Sequence, residues 1–376
     1  MQFRELSAID EVPAAEWNAL DGTACPFLRH EFLAALEHTQ CVGPGTGWAP
    51  AHLALFDGGR LLAAAPAYRK EHSWGEFVFD FSWAQAYARH GLAYYPKLLV
   101  AVPFSPINCA RLLVSREGAE QLREALIDEL QRRCAGQQLS SAHATFLAEE
   151  DRVAFERHGW LLRSDVQFHW HNQGYADFEA YLATFRSEKR KQARRERRRI
   201  AEAGIRIDTL RGSDLDEATL GIVHAMHART FHAHGHEPYL NLACFREITR
   251  TLGDSMLVKL ASHEGRPVAT AVFFAGPDAL YGRYWGALGD FHSLHFELCY
   301  HQGIEFCIEQ GLSRFEPGTQ GEHKVARGFV PSHTWSAHYI ADSRFRDAIG
   351  DFLEREAAHV DAYAEAVAAH VPYHRG

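Results

Sequence analysis

The chain has 376 residues, enough for two domains of ordinary size or for one large domain. Hydrophobic residues make up 47% of it and charged residues 23%, which excludes a disordered chain, a collagen-like repeat and a small disulfide scaffold. A net charge of -9 argues against a protein that coats nucleic acid with its whole surface.

The N-terminal residues, 1–17, lack the basic start and the apolar middle of a secretory signal, so we expect the protein to stay in the cytoplasm. The longest apolar stretches, 61–68 and 98–104, are far shorter than the roughly 20 residues of a membrane-spanning helix. We therefore expect no transmembrane helix.

The first half of the chain predicts a sheet followed by alternating helices and strands. Two apolar runs, 52–56 and 61–68, flank a glycine turn at 57–59, which predicts a β-hairpin. Prolines punctuate 97–107, which predicts a short strand that leads into a loop. Leucines at four-residue spacing predict a helix over 117–134. A strand, a helix and a strand are predicted next, at 141–147, 149–158 and 160–171.

The second half predicts a similar order of elements. Helices over 177–203 lead to a strand at 205–210. The remaining predicted elements are helices at 215–232 and 242–252, strands at 257–262, 267–275 and 280–287, and helices at 294–310 and 344–369. The pattern predicts an α/β (α+β) protein with two domains, 1–170 and 171–376, each with a central mixed sheet flanked by helices.

A strongly basic helix is predicted at the start of the second domain. Residues 186–199 read RSEKRKQARRERRR and carry a local net charge of +7, so the rest of the chain carries -16. In a helix, many of these cations are like-charge neighbours at four-residue spacing, which is mildly destabilising. An anion would relieve the repulsion, and arginines clamp phosphate oxygens well. The alternative is a solvated face paired with acidic residues elsewhere. The cations expected to bind substrate are Arg190, Arg194, Arg195 and Arg198.

A polar, glycine-rich segment follows the helix predicted at 294–310. Glu322, His323, Lys324 and Arg327 lie among three glycines, which let backbone amides approach a ligand closely. His323 can accept a proton from an attacking amine near neutral pH, and Lys324 and Arg327 can hold an anionic substrate. The alternative is that these side chains only satisfy one another and the carbonyls of the loop.

The preceding strand and helix supply further candidates. Glu297 lies near the start of the helix, close in sequence to a strand that carries Tyr284. His301 and Glu305 share a helical face with Glu297, and for these two we expect an exposed polar role. The predicted catalytic residues are His323, Lys324, Glu297 and Tyr284. The predicted substrate-binding residues, besides the four arginines of the basic helix, are Arg283, Trp285, Gln320, Glu322 and Arg327.

Several chemistries lack their sequence signatures. Five histidines crowd residues 224–236, but no His-Glu-x-x-His motif is present, so we expect no metal site there. Seven cysteines without a Cys-x-x-Cys pair argue against a disulfide framework or a sulfur-only zinc site, and most are expected to be buried small apolar residues. Neither the serine-hydrolase elbow nor the Walker pattern occurs.

A series of motifs in order carries a family resemblance. It consists of Pro-Phe-Ser-Pro at 103–106 with Arg-Leu-Leu at 111–113, the basic helix at 189–199, Tyr-Gly-Arg-Tyr-Trp-Gly at 281–286, residues 294–305, and Gly-Thr-Gln-Gly-Glu-His-Lys at 318–324 continuing to Phe329. With these motifs, the chain resembles the FemAB-like group of predicted N-acyltransferases, built from two tandem acetyltransferase-type (GNAT) domains. The likeness covers most of the chain.

The resemblance implies direct transfer of an acyl or aminoacyl group from an activated ester or thioester to an amine, with no tightly bound cofactor. Relatives that build peptidoglycan cross-bridges use aminoacyl-tRNA, whereas ordinary GNAT enzymes use acyl-coenzyme A. Residues 288–293 do not form the glycine-rich loop typical of coenzyme A binding, and an arginine-rich helix suits a phosphate backbone. Both donors stay open, as do a small-molecule and a peptide acceptor and the oligomeric state.

A non-catalytic role is the alternative. The basic helix could hold RNA or another polyanion on a degenerate GNAT fold, which would give binding without turnover. The titratable residues among the glycines at 318–328 favour the enzyme, because a protein that only binds has no need of them.

Overall fold

A computed structural model describes residues 1–289, 291, 293–319 and 321–374. It divides into two compact units, Met1–Asp165 with His333–Ala362, and Val166–Ser332 with Tyr363–Gly376. This division differs from the predicted domains because residues 333–362, expected in the second domain, belong to the first unit.

The strands are, in chain order, β1 (Gln2–Leu6), β2 (Trp48–Pro50), β3 (His52–Asp57), β4 (Arg60–Ala65), β5 (Ala67–Lys70), β6 (Lys97–Val100), β7 (Leu113–Val114), β8 (Ser141–Thr145), β9 (Leu161–His171), β10 (Ile205–Arg211), β11 (Met256–His263), β12 (Arg266–Ala275), β13 (Ala279–Ala287), β14 (Arg314–Glu316) and β15 (Val330–Ile340).

The helices are α1 (Ala14–Trp17), α2 (His30–His38), α3 (Phe81–Arg89), α4 (Ala119–Gly136), α5 (Glu149–Arg157), α6 (Phe178–Ala183), α7 (Ser187–Glu202), α8 (Glu217–Ala233), α9 (Leu242–Leu252), α10 (Leu294–Phe296), α11 (Gln302–Gln310) and α12 (Ser343–Ala368). A π-helical turn, Glu297–His301, joins α10 to α11, and a short 3-10 helix covers Glu322–Arg327.

The first unit contains two sheets. One is antiparallel, in the order β1-β3-β4-β7, and the other has the order β15-β8-β6-β5-β2, in which only β6 and β8 are parallel among the described pairs. Helix α4 turns Leu122, Leu126 and Leu130 into the core beside Val100 of β6. Residues 336–340 of β15 pair with β8, and this pairing explains why that segment belongs to the first unit.

The second unit has a sheet in the order β10-β11-β12-β13-β14, and β14 then pairs with the end of β9. The pairs are antiparallel except for β13 and β14, which are parallel. Helix α8 lies directly on β13 at Gly286, where an added Cβ atom would come within 2.1 Å of the Met226 carbonyl oxygen. Only glycine permits this close approach.

The expected α/β class, with a mixed sheet in each unit, is confirmed. The predicted hairpin forms between β3 and β4, with Asp57 opposite Arg60. The helical region predicted at 177–203 consists of two helices. Asp177 caps the start of α6 through the Ala180 amide, α6 ends at Ala183, and α7 starts at Ser187.

Candidate active site

The sheet of the second unit opens between two parallel strands. Strand β13 pairs with β14 only from Ala279 to Tyr281, because β14 ends at Glu316 while β13 continues to Ala287. On its other side, β13 has a register shift, since Val272 of β12 pairs with Tyr284 but Phe273 pairs with Gly282. Arg283 is therefore the extra residue of a β-bulge, a feature that bends a strand and redirects its side chains.

A cavity of about 90 Å³ lies at this bulge. It is lined by Ala271, Val272, Phe273, Gly282, Arg283, Tyr284, Trp285, His295, Cys299, Tyr300 and Pro317. Three predicted site residues, Arg283, Tyr284 and Trp285, thus border one cavity. Tyr284 is 9% exposed and its ring packs 4.4 Å from that of His227.

The π-helical turn decides which side chains face this cavity. A π turn inserts a residue into the helical repeat and shifts the faces that follow, and such turns are frequent at functional sites. His295, Cys299 and Tyr300 line the cavity. Glu297 and His301 instead pair with residues of α7.

His323 and Tyr300 form a hydrogen-bonded pair next to the cavity. The Tyr300 hydroxyl lies 2.7 Å from Nε2 of His323. Burial raises the pKa of Tyr300 well above its usual range, so this hydroxyl keeps its proton and can donate it to Nε2. Partial burial, with Lys324 and Arg327 close by, lowers the pKa of His323. The imidazole is therefore neutral at neutral pH and suited to accept a proton.

Lys324 is a buried cation behind this pair. Its side chain is 2% exposed, and Nζ donates a hydrogen bond of 2.5 Å to the Gly318 carbonyl. Burial lowers its pKa to about 7, while nearby Cys299 acts in the opposite direction. At neutral pH, Lys324 can thus both hold and release a proton.

Arg327 anchors the loop that carries His323 and Lys324. Its Nη1 donates to the His323 carbonyl at 2.7 Å, and its Nη2 donates to Glu196 of α7 at 2.8 Å. The guanidinium also lies 3.5 Å from the centre of the Phe296 ring. We predicted Arg327 to bind substrate, but these contacts and its 5% exposure give it a supporting position.

Glu297 lies on the side of the helix that packs against α7. It is 3% exposed and is not among the residues that line the cavity. Its Oε1 accepts from Gln302 at 2.7 Å and lies 3.3 Å from Nε of Arg197. Glu297 therefore lies apart from the other predicted catalytic residues. The spacing in the sequence did not indicate this, because the prediction was based on a regular α-helix and the structure has a π-helical turn here.

The buried ionic face of α7 was not predicted from the sequence. Glu196 accepts from His301 at 3.2 Å as well as from Arg327, and Arg197 bonds Glu305 at 2.6 Å. Burial opposes ionisation of Glu196, but the hydrogen bond from His301 and the charge of Arg327 outweigh it and keep its pKa low. The expectation that His301 is exposed is wrong, since it is 1% exposed.

A signal for this face was present in the sequence. Ala193, Glu196 and Ile200 recur at the spacing of one helical face, and all three are buried. The run of positive charge hid this apolar stripe. A carboxylate between two apolar residues on such a face predicts a buried ion pair.

The outer face of α7 forms a basic groove. The groove has a volume of about 690 Å³ and is lined by Glu188, Lys191, Gln192, Arg194, Arg195 and Arg198. Arg194 pairs with Glu179 at 2.5 Å, and Arg198 lies 3.8 Å from Glu202. Exposed pairs of this kind are weak, so these cations can exchange partners for a ligand. Arg190 instead donates to the Ala183 carbonyl at 3.3 Å and does not line the groove.

A second, larger pocket shares two residues with the cavity. It has a volume of about 380 Å³ and is lined by Arg229, Trp285, Ala287, Gly289, Phe291, Leu294 and His295. Trp285 and His295, whose rings lie 5.1 Å apart, belong to both spaces. The pocket places one exposed cation, Arg229, beside the ring pair that borders the cavity.

Two further residues of the loop were predicted to bind substrate, Glu322 and Gln320. Glu322 is exposed and accepts a hydrogen bond of 2.9 Å from the Tyr363 hydroxyl. Gln320 lies outside the described residues.

The structure also bears on metals and membranes, within the residues that it describes. No group of three or more histidine, cysteine, aspartate or glutamate side chains there is arranged to hold a metal ion. None of the helices among these residues has the length and apolar character needed to cross a bilayer.

The fold is similar to those of several solved structures. The C-terminal domain of a putative lysylphosphatidylglycerol synthetase from Agrobacterium fabrum matches 92% of this chain and 96% of its own, with 9% identity and a TM-score of 0.56. FemX matches 93% of this chain and 100% of its own, with 10% identity and a TM-score of 0.56. L-PGS from Bacillus licheniformis matches 83% and 92%, with 10% identity and a TM-score of 0.52. At these identities the likeness establishes the fold.

No curated protein matches the chain at a significant level. The sequence model of the FemAB-like family, described as peptidoglycan biosynthesis/recognition, matches residues 8–375. Because that match covers nearly the whole chain, the resemblance drawn from the sequence motifs is confirmed, and the chain belongs to the FemAB-like family.

Proposed function

We propose that this protein transfers an acyl group, most specifically an aminoacyl group, from an activated ester or thioester to an amine. The observation that carries the proposal is the cavity at the β13 bulge. It is bordered by the backbone of a distorted strand and by Tyr300, the hydrogen-bond partner of His323. Acyl transfer needs a carbonyl held against backbone donors and a nearby proton acceptor.

The proposed reaction assigns a role to each group. The donor carbonyl lies in the cavity, and the amine nitrogen attacks the carbonyl carbon. Backbone amides of β13 at the bulge stabilise the oxyanion. The amine proton passes to neutral His323, directly or through the Tyr300 hydroxyl. The bond from the carbonyl carbon to the leaving oxygen or sulfur then breaks.

Lys324 is the proposed proton donor to the leaving group. Its pKa of about 7 leaves a substantial protonated fraction at neutral pH, and burial favours loss of that proton. As a cation it also favours negative charge that develops next to Cys299 and the cavity.

The charge of the second unit supports a polyanionic donor. The α7 groove presents Lys191, Arg194, Arg195 and Arg198 against a single glutamate, and Arg229 lies at the larger pocket. A donor with many phosphates matches this distribution better than one with few, so we propose aminoacyl-tRNA as donor ahead of acyl-coenzyme A. The family description and the similarity to FemX and to a putative lysylphosphatidylglycerol synthetase support an acceptor in cell-envelope synthesis.

A binding and turnover experiment tests the proposal. A mixture of charged tRNAs, and separately acyl-coenzyme A, is titrated into the protein at several salt concentrations, and release of the acyl group is followed with amine acceptors present. We expect charged tRNA to bind with steep salt dependence and to be discharged. The variant R194A/R195A should bind more weakly and lower the salt slope by roughly 1 to 2, since each contact contributes about 0.7 to 0.9.

The matched control removes the same charge elsewhere in the second unit. Arg206 and Arg250 have side chains that are 76% and 73% exposed and lie away from the groove residues, so R206A/R250A should leave the salt slope unchanged. Equal slopes for both double variants would contradict a phosphate partner at α7. Tight tRNA binding with no discharge would favour the non-catalytic, RNA-binding alternative.

A further inference from the structure

An arginine of the first unit is buried without a carboxylate partner. Arg111 follows the loop after β6 and is 0% exposed. Its Nη2 donates to the Ile107 carbonyl at 2.8 Å, and its Nη1 donates to the carbonyls of Cys109 and Ala110 at 3.2 and 3.1 Å. These acceptors are neutral. The residue belongs to a motif that the family resemblance includes but that the proposed transfer reaction does not use.

The nearest acidic side chain does not neutralise this guanidinium. One oxygen of Asp151 accepts the backbone N–H groups of Arg111 and Leu112, and its other oxygen pairs with Arg123 at 3.2 Å. Within the described part of the chain, no carboxylate oxygen lies within 4.0 Å of the Arg111 guanidinium. Arginine keeps its proton in proteins, and a buried unpaired charge is costly.

The Cys109 thiol contacts this guanidinium. The Sγ atom of Cys109 lies 2.8 Å from Nη1 of Arg111, and Cys109 is partly exposed to solvent. A cysteine beside an arginine loses its proton more readily, and partial exposure lets reagents reach the sulfur. The contact therefore places the Cys109 sulfur where a neighbouring guanidinium would stabilise a thiolate.

Cys25 lies next to Cys109. Burial raises the pKa of Cys25 well above its usual range, and the hydrogen bond and charge of Cys109 raise it further. Cys25 is itself 8% exposed. Cys25 therefore keeps its proton at neutral pH, while the neighbouring sulfur of Cys109 is the one that contacts Arg111. An accessible thiol at an arginine, beside a second thiol, is the arrangement of a peroxide-reactive cysteine with a resolving partner.

We propose that Cys109 is a reactive thiolate held by Arg111, and that Cys25 resolves it into a disulfide when a peroxide oxidises it. The thiolate attacks one peroxide oxygen, the O–O bond breaks, and hydroxide leaves to give a sulfenic acid. The Cys25 sulfur then attacks the sulfenic sulfur. The S–S bond forms, the S–O bond breaks, and the Cys25 proton leaves with the hydroxide as water. Two thiols are oxidised and one peroxide is reduced.

Alkylation of the native protein tests the thiolate. Brief pulses of iodoacetamide at several pH values, followed by peptide mass spectrometry, give a rate for each of the seven cysteines. We expect the Cys109 rate to fall less than about tenfold between pH 8.5 and 6, because an ordinary thiol of pKa about 8.5 would lose more than about a hundredfold. Cys299, the other partly exposed cysteine, is the internal control, since burial raises its pKa. A Cys109 rate that falls as steeply as an ordinary thiol's overturns the proposal.

Peroxide treatment tests the partner. Mapping without reduction should find a Cys25–Cys109 disulfide in the wild type, a trapped sulfenic acid at Cys109 in C25S, and neither product in C109S. Cys41, buried to the same 8% exposure as Cys25, provides the matched control, because C41S should behave as the wild type. A persistent sulfenic acid without the disulfide in the wild type overturns the role of Cys25. None of these readouts depends on transfer activity, so the two proposals fail separately.

Discussion

His323 and Lys324 are neighbours in sequence that occupy opposite environments. His323 is exposed and bonds the Tyr300 hydroxyl, whereas Lys324 is 2% exposed and bonds a backbone carbonyl. Partial desolvation of the His323 ring, with the charges of Lys324 and Arg327, lowers the pKa of His323, and deep burial lowers that of Lys324, so the pair holds less positive charge at neutral pH than its residue types indicate. One neutral base and one half-protonated acid side by side match the two proton transfers of acyl transfer.

The role of His323 as base predicts a pH profile. The neutral imidazole is the active form and its pKa is lowered, so the acid limb of kcat/KM should lie below about pH 6.5, while loss of the Lys324 proton should lower kcat/KM above about pH 7. In H323A, kcat/KM should drop by about 10² to 10⁴ and the acid limb should disappear, while the fold remains because the side chain is exposed. Exposed His359 of α12 is the control, and an acid limb that persists in H323A would contradict the assignment.

Helix α7 has two different surfaces on opposite faces. Its outer face forms the basic groove, and its inner face holds the loop of His323 through the Glu196–Arg327 pair. The positive charge of the helix is partly offset on this inner side by three glutamates: buried Glu196, which pairs with Arg327, and buried Glu297 and partly exposed Glu305, which both pair with Arg197. The helix thus presents a basic groove outside and anchors the loop inside.

We predict that the loop of His323 depends on the Glu196 carboxylate on the inner face of α7. E196Q leaves the buried Arg327 without a counter-charge, and breaking a buried pair costs about 3 to 5 kcal/mol. Hydrogen exchange at the Gly328 and Phe329 amides, which donate to Val325 and Lys324, should therefore speed up.

The matched variant for E196Q is E202Q, at the exposed end of the same helix. Its side chain is 68% exposed and pairs only loosely with Arg198, so the loop amides should keep their protection. Unchanged exchange in E196Q would mean that other contacts hold the loop.

In each unit of the molecule a lysine is buried with a pKa of about 7. In the first unit, Lys70 is 0% exposed, lies 3.7 Å above the Trp48 ring and donates to the Trp74 carbonyl at 3.3 Å. Burial lowers its pKa, with Glu76 acting in the opposite direction. Lys324 is its counterpart in the second unit.

Because of these two lysines, we predict that the free energy of unfolding rises with pH. Between about pH 7 and 10.5 the unfolded chain binds a proton that each folded lysine has released, so the free energy of unfolding should increase by up to about 1.4 kcal/mol per pH unit for each. In K70M the increase between pH 7.5 and 9 should be smaller, whereas exposed Lys191 in K191M should leave it unchanged. Denaturant unfolding at several pH values measures this, and equal slopes in K70M and the wild type would contradict it.

Periodicity and turn chemistry in the sequence were sufficient for most elements. Helix α9 lies where the pattern predicts it, and the hairpin of β3 and β4 forms at the glycine turn. Strands β14 and β15 were not predicted. Strand β14 has only three residues and exists through its neighbours β13 and β9, whereas the longer β15 pairs with β8. Their formation depends on pairing with distant segments.

Residue type and local spacing were enough to predict most of the helical and strand segments, the family and the chemical character of the 318–328 loop. Packing between distant segments placed Tyr300 against His323 and turned Glu297 towards Arg197. It also buried Arg111 against a thiol. The physical reason is that a π turn, a β-bulge and an unpaired buried charge arise from packing between segments far apart in the chain, which no local pattern encodes.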